Sequence, residues 1–178
     1  MQPVVAVDLG GTNLRAAFYP QGIPPAERSL RAPSEVERGP EAVLAAMAEA
    51  IRGLLPDPVP PDLCVGVAAP GPLDPHAGVV LSAPNLPGWI DVPLRGWLQD
   101  ALGVPVRIGN DANLAALGEW RYGAGQGVDH LIYLTISTGI GVYPGPDLRS
   151  VDDLIRVADN ALYEAKQTGR NKVSVYIS

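Results

Sequence analysis

Through residue 141 the chain repeats one device: a short apolar run that ends in a polar string containing glycine or asparagine. Val4 to Leu9 leads into Asp8-Leu-Gly-Gly-Thr-Asn-Leu-Arg15, and Leu63 to Ala68 into Ala69-Pro-Gly-Pro-Leu-Asp74. Val104 to Ile108 leads into Asn110-Asp-Ala-Asn113, and His130 to Ile136 into Ser137-Thr-Gly-Ile-Gly141. Apolar runs of this length, bounded by such turns, read as buried strands. Leu14 to Tyr19 and the stretch around Ile23 to Leu30 read as antiparallel strands, with Gln21-Gly22 as a turn signal. Between the runs lie helical patterns. Val43, Leu44, Met47, Ile51 and Leu54 have helical spacing within Gly39 to Leu55, with Pro40 near the first turn. Val92 to Leu102 predicts a shorter helix, and Ala112 to Arg121 another that opens just after Asp111. Strands followed by alternating helices and strands predict an α/β domain.

Composition narrows the function classes. Apolar residues make up 47% of the chain and charged residues 18%, a globular balance. A formal net charge of −6 argues against non-specific binding to nucleic acid or an anionic membrane, which depends on Lys and Arg neutralising phosphates. Cys64 is the single cysteine, so no intrachain disulfide and no cysteine-rich metal site is expected. Between Leu63 and Val65 it predicts a buried, inert thiol. No basic leader and no long apolar run is found, so the expectation is a soluble, cytoplasmic protein.

Each polar string has a structural and a chemical reading. The glycines of Asp8-Leu-Gly-Gly-Thr-Asn let backbone N–H groups approach an anion; the same pair also makes a plain hairpin turn. On the chemical reading Gly10 and Gly11 face a phosphate, Thr12 and Asn13 add side-chain donors, Arg15 lies near charge, and Asp8 holds a hydrated Mg²⁺. Ala69-Pro-Gly-Pro is an ordinary proline-rich turn, or a loop whose bare Gly71 backbone meets a small polar ligand. In Asn85-Leu-Pro-Gly-Trp89, Asn85 can reach a hydroxyl while Trp89 reads as core. At Asn110-Asp-Ala-Asn113 either side chain can cap the following helix, or Asp111 is a general base taking a proton from an attacking hydroxyl. Ser137-Thr-Gly-Ile-Gly141, with Thr138 and Gly139, is a second glycine-rich turn and a candidate partner for the first phosphate loop. His76 and His130 lack metal-ligand spacing, and Glu119 reads as a surface or packing residue.

Near Ile140 to Tyr143 the style changes. The lysines Lys166 and Lys172 both lie beyond this seam, and proline is absent after Pro146. Ser150 can cap a helix over 151–167 whose apolar face is Leu154, Ile155, Ala158, Ala161, Leu162 and Ala165. Gly169 stops it, and Val173 to Ile177 alternates like a strand. With the strand at 130–142 these elements predict a βαβ unit.

In this order the four strings resemble the ROK family of repressors, uncharacterised reading frames and sugar kinases, and above all the bacterial glucokinases, over residues 2–141. That resemblance implies the ribonuclease H-like, actin-like ATPase fold. It implies Asp111 as catalytic base, Asn110 as sugar ligand, and Asp8, Gly10, Gly11, Thr12 and Thr138 around the phosphates of ATP, with ATP and Mg²⁺ as the parent kinase's cofactors. The absence of a helix-turn-helix before Val4 favours the kinase branch. Residues 142–178 instead resemble the end of a GGDEF diguanylate cyclase domain, through Ala158-Asp-Asn-Ala-Leu-Tyr-Glu-Ala-Lys166 and Gly169-Arg-Asn-Lys-Val173. The cyclase signature and its metal- and nucleotide-binding residues are missing, so this resemblance implies structure and not cyclase chemistry.

The expected organisation is therefore a chimera: a kinase-type lobe at 1–141 and a strand-helix-strand tail at 142–178 packed on it as a cap. The family's second lobe, which brings a sugar-binding Glu and His, a zinc motif and much of the adenosine pocket, has no counterpart in these residues. The resulting expectation is a hexose kinase lobe with little or no turnover, no zinc, and weak binding of sugar and nucleotide. The alternatives are a non-enzymatic folding scaffold without ligand, which can be a homodimer, and, remotely, cyclic-di-GMP signalling.

Overall fold

The computed structural model describes residues 2–83 and 85–127, together with two later strands at 132–136 and 139–143. The chain divides into two compact units, Met1–Asp111 and Ala112–Ser178.

The first unit is built on five strands: β1 (Val4–Leu9), β2 (Asn13–Tyr19), β3 (Arg28–Pro33), β4 (Cys64–Ala69) and β8 (Val106–Asn110). Their order in the sheet is β3-β2-β1-β4-β8. The leading β1–β2–β3 meander is antiparallel, whereas β1, β4 and β8 run parallel. Burial alternates along the strands, so Val5, Val7, Leu9, Leu14, Ala16, Phe18, Val65, Val67 and Ile108 share one buried set. Ala6, Asp8, Arg15 and Arg107, at the intervening positions, are exposed.

Two helices supply the cover. In α1 (Pro40–Arg52) proline occupies the first turn, where its missing N–H costs nothing, and Val43, Leu44, Met47, Ala48 and Ile51 form the buried stripe. The helix ends at Gly53. In α2 (Leu94–Leu102) the buried residues are Leu94 and Leu98, and Gly103 ends it in the left-handed conformation with φ 67°. The two helices pack on each other, α1 also against β2 and α2 against β8.

A second, three-stranded antiparallel sheet joins β4 to α2: β5 (Leu73–Asp74), β6 (Val79–Ser82) and β7 (Ile90–Val92). These strands are two to four residues long and interrupted by Gly and Pro, too short for an alternation to be legible, and the sequence reading misses them. The expected strand at Val104–Ile108 lies two residues later. Pro105 has no N–H for the ladder and contributes only its carbonyl, which accepts the Val65 N–H at 2.9 Å. The strand expected around Ile23 begins at Arg28, and the helix expected from Val92 begins at Leu94.

In the second unit α3 (Asp111–Tyr122) starts from the last residue of the first and ends at Gly123, whose N–H donates to the Glu119 carbonyl at 3.0 Å. The Glu119 carboxylate accepts the Ala124 N–H at 3.0 Å, so this residue closes its own helix. The single strand expected at 130–142 is two strands, β9 (Ile132–Ile136) and β10 (Gly139–Tyr143), paired antiparallel with Ile136 opposite Gly139. Gly139 therefore belongs to a strand and not to the turn. The helix expected over 151–167, the last strand and the cap they were expected to form lie outside the described residues. Among the described residues no helix is long and apolar enough to cross a membrane.

Candidate functional site

Three of the polar strings meet because of sheet register. Asp8 pairs with Ala68, Ala68 with Gly109, and Ala69 with Asn110. The C-terminal ends of parallel β1, β4 and β8 therefore lie side by side, and the strings that follow them leave the sheet along one edge. In open α/β sheets this carboxyl edge is where ligands sit, because turning loops and free backbone groups collect there.

At the first loop the Gly10 N–H donates to the Asn13 carbonyl at 3.0 Å, closing the turn. That N–H is spent inside the turn, so the expected glycine-cradled anion has Gly11 and Thr12, both exposed, as its open backbone. The Thr12 carbonyl accepts the N–H of buried Ser34 at 3.1 Å. Asn13 accepts from Arg31 Nε through Oδ1 at 3.0 Å, which leaves its Nδ2 as the donor. Asp8 and Arg15 face each other across the hairpin at 3.8 Å, both more than half exposed, a pair that contributes little to stability.

Gly11 also touches the Asn85 loop. A Cβ on Gly11 would lie 3.2 Å from the Asn85 carbonyl oxygen, so the phosphate candidate and the hydroxyl-binding candidate share a boundary. Asn85 is exposed, while Leu86 and Trp89 on the same loop are buried, as expected for Trp89.

The second junction is tighter. Asn110 Nδ2 donates to the Gly71 carbonyl at 3.1 Å, tying the end of β8 to the loop after β4. Gly71 adopts φ +87° and lies so close to Ser82 and Ala83 that no side chain fits there. Asp111, directly after Asn110, is exposed at the first position of α3. Sequence and register thus bring Asp8, Gly10, Gly11, Thr12, Asn13, Gly71, Asn85, Asn110 and Asp111 to one edge of the first unit. Thr138 lies outside the described residues.

Among the described residues no group of three His, Cys, Asp or Glu side chains can hold a metal. Asp8 offers one exposed carboxylate at this edge. Cys64 is half-buried, less than expected, and burial raises its thiol pKa, so it is held as the unreactive thiol. A groove between α1 and α2, lined by Glu41, Leu44, Arg52 and Trp97 among others, contains none of the motif residues.

Sequence reasoning missed Arg31 and Arg95. Arg31 sits opposite Arg15 in the β2–β3 register and holds Asn13; only the pairing shows it. Arg95 donates to the Pro75 and Ala77 carbonyls at 3.2 and 2.9 Å and packs on Gly78. In the same loop Asp74 Oδ1 accepts the His76 and Ala77 N–H groups at 2.8 and 2.9 Å. The His76 backbone is thus part of a turn. Those N–H donors, the Ala77 one first, hold the Asp74 carboxyl below its ordinary value of 3.8. A lowered folded pKa stabilises the fold above the unfolded value, and that contribution is lost as pH falls through the folded one. Stability of the parent should fall below about pH 4, and Asp74→Asn should flatten this acid limb in urea titrations at stepped pH. An unchanged acid limb would remove the turn from the account.

The sheet, its antiparallel lead and its loop-bearing carboxyl edge define a mixed α/β fold of the actin-like ATPase type. The chain belongs to the ROK family, whose pattern matches residues 4–143. The diguanylate cyclase GGDEF domain pattern matches residues 125–172, so the two overlap across β9 and β10. A glucokinase of Thermotoga maritima is 38% identical over 138 residues, covering 78% of this chain and 43% of that protein. A putative xylose repressor of Caldicellulosiruptor sp. is 33% identical over 145 residues, 78% of this chain and 35% of the other. The crystal structure of a ROK family glucokinase from Streptomyces griseus, in complex with glucose and AMPPNP, superposes with a TM-score of 0.66 at 32% identity, over 79% of this chain and 43% of that one. The chain thus spans less than half the length of these relatives.

Proposed function

We propose that these 178 residues are the first lobe of an ATP-dependent hexose kinase joined to the end of a GGDEF domain, with phosphoryl transfer to a sugar hydroxyl as the ancestral reaction. The observation that supports it most is the Asn110–Gly71 hydrogen bond, which anchors the residue before Asp111 at the carboxyl edge shared with the Gly10-Gly11 turn. In this reading Asp111 accepts the proton of the attacking hydroxyl, and Asn110, Gly71 and Asn85 hold the sugar. Gly11, Thr12 and Asn13 hold the phosphates of ATP, with Asp8 toward Mg²⁺. Bound ATP–Mg²⁺ would supply the transferable phosphoryl group. Asp111 needs only hydrogen-bond reach to the hydroxyl and a phosphate in line beyond it.

Turnover by this polypeptide is expected to be slight. The ROK pattern stops at residue 143, and the chain then follows the GGDEF pattern to residue 172. Phosphoryl transfer depends on holding both substrates in line and excluding water, and one lobe supplies only part of that clamp. A ligand-free scaffold is the second reading, favoured by a turn that already satisfies Gly10 and Asn13 internally.

Calorimetric titration with glucose and with ATP–Mg²⁺ separates the two. The kinase-lobe reading expects binding in the range of about 1 mM or weaker, with glucose phosphorylation barely above background. Asp111→Ala should remove that residual phosphorylation and leave nucleotide binding in place. Ordinary kinase rates that Asp111→Ala abolishes would refute the incapacitated lobe. No heat with either ligand would favour the scaffold.

A further inference from the structure

Ser34 is the only polar residue that is buried among the described residues, at 3% exposure, and its Oγ has no hydrogen-bond partner among them. A hydroxyl placed this way loses its hydration and gains nothing in exchange, so its position calls for a reason. Ser34 directly follows β3, one step beyond the Asn13–Pro33 pair of the β2–β3 register. Its N–H donates to the Thr12 carbonyl at 3.1 Å. The orphaned hydroxyl therefore belongs to a residue whose main chain holds the Gly10–Asn13 turn. Other groups at that turn are matched: the Gly10 N–H with the Asn13 carbonyl, and Asn13 Oδ1 with Arg31 Nε.

The backbone gives a second, independent sign. Glu35, next in the chain, adopts φ 47° and ψ 43°, the left-handed region that a glutamate rarely enters. Its side chain makes no capping bond to the short 3₁₀ turn Val36–Arg38 that follows. Its carboxylate pairs with Arg38 at 2.5 Å, but both side chains are about half exposed, so the pair offsets little of the strain. Val36 then packs against the core, which fixes the path of the chain on the far side of Glu35. Strained backbone persists where the surrounding structure over-determines it, and such places cluster at ligand clamps.

We propose that Ser34 is a positioning residue for phosphate binding at the Gly10–Asn13 turn. Its hydroxyl takes up its hydrogen bond when an anion draws the turn into its ligated form. A serine hydroxyl rotates to donate or accept, so a small shift of the Thr12 peptide suffices to engage it. The inference rests on the kinase-lobe reading for its ligand, the phosphates of a nucleotide, and adds a residue outside the four polar strings. In the free chain the hydroxyl is a liability, and in the ligated chain it is a bond. Its effects on stability and on binding therefore have opposite signs, which a hydroxyl serving the fold alone does not produce.

The test uses the full chain, with the amide shifts of Gly11 and Thr12 titrated against ATP–Mg²⁺ and urea midpoints measured in parallel. Ser34→Ala should leave the midpoint unchanged or raise it, and weaken ATP–Mg²⁺ binding about threefold to tenfold, the equivalent of one hydrogen bond. Ser34→Thr keeps the hydroxyl and should bind as the parent does. A lower midpoint for Ser34→Ala would overturn the proposal, because the hydroxyl would then serve the fold. Unchanged affinity in Ser34→Ala, or a folded Ser34→Thr that binds as weakly as Ser34→Ala, would also overturn it while leaving the kinase-lobe reading in place. A parent chain whose Gly11 and Thr12 amides do not respond to ATP–Mg²⁺ would overturn both. Should the extra methyl keep Ser34→Thr from folding, the two Ser34→Ala measurements decide.

Discussion

Gly71→Ala is expected to destabilise the first unit by about 3 kcal/mol or more, combining a left-handed backbone penalty with a steric clash. Gly71 sits at φ +87°, and a Cβ there would lie 2.0 Å from the Ser82 carbonyl oxygen and 2.9 Å from the Ala83 Cα. Both are backbone atoms at the end of β6, so nothing nearby can swing aside. The shift would carry the Gly71 carbonyl away from Asn110 Nδ2, so the Asn110 amide should also lose protection from exchange. Gly78→Ala is the control. Its φ is +80°, but the atoms a Cβ would meet belong to the Arg95 side chain, the closest at 2.6 Å. That side chain can move at the expense of its two carbonyl contacts, so the loss should be smaller, about 1–2 kcal/mol. Denaturant midpoints at constant m decide the matter. A cost below about 1 kcal/mol for Gly71→Ala would mean that the loop after β4 relaxes freely, and that Asn110 is not anchored through it.

Trp89→Ala should cost about 3–5 kcal/mol, in the range for deleting a fully buried aromatic. Trp89 is 1% exposed, and its backbone organises the loop that presents Asn85: its N–H donates to the Leu86 carbonyl at 3.2 Å, and its carbonyl accepts the Ala83 N–H at 3.2 Å. Its indole Nε1 is buried with no hydrogen-bond partner among the described residues. An orphaned donor costs roughly 1–3 kcal/mol, so Trp89→Phe removes that penalty while opening a small cavity. The two effects oppose each other, and Trp89→Phe should stay within about 1.5 kcal/mol of the parent. Equal losses for Ala and Phe would show that the indole nitrogen is satisfied in solution. If neither variant moves the midpoint, the Asn85 loop is held by something other than its tryptophan.

The sequence was most legible where physics is local. β1, β2, β4 and β9 appear within a residue or two of their expected ends, because an apolar run followed by Gly, Pro or Asn leaves few conformations open. The Pro40 start of α1 and its Val43–Ile51 stripe are local signals as well. The small sheet of β5, β6 and β7 was not legible, since strands this short show no period and are held by cross-strand pairs such as Val80 with Val92. The β9–β10 hairpin was misread as one strand because Thr-Ile-Ser-Thr-Gly suits both families whose patterns overlap there. Arg31 and Arg95 were missed for a further reason: a surface arginine takes meaning only from the carbonyl or amide it reaches.

By itself the sequence determined which strings end the strands, and therefore which residues were available for chemistry: Asp8, Gly10, Gly11, Gly71, Asn110 and Asp111 among them. The tertiary structure alone decided that they share an edge. Asp8, Ala68 and Gly109 become neighbours through parallel pairing across about a hundred residues of chain, and no local preference encodes such a contact. What selects it is the buried face: a slip of one residue would turn Val5, Val7, Val65, Val67 and Ile108 outward and carry the loops out of line. The hydrophobic register that packs the sheet on α1 and α2 is therefore also what assembles the candidate site.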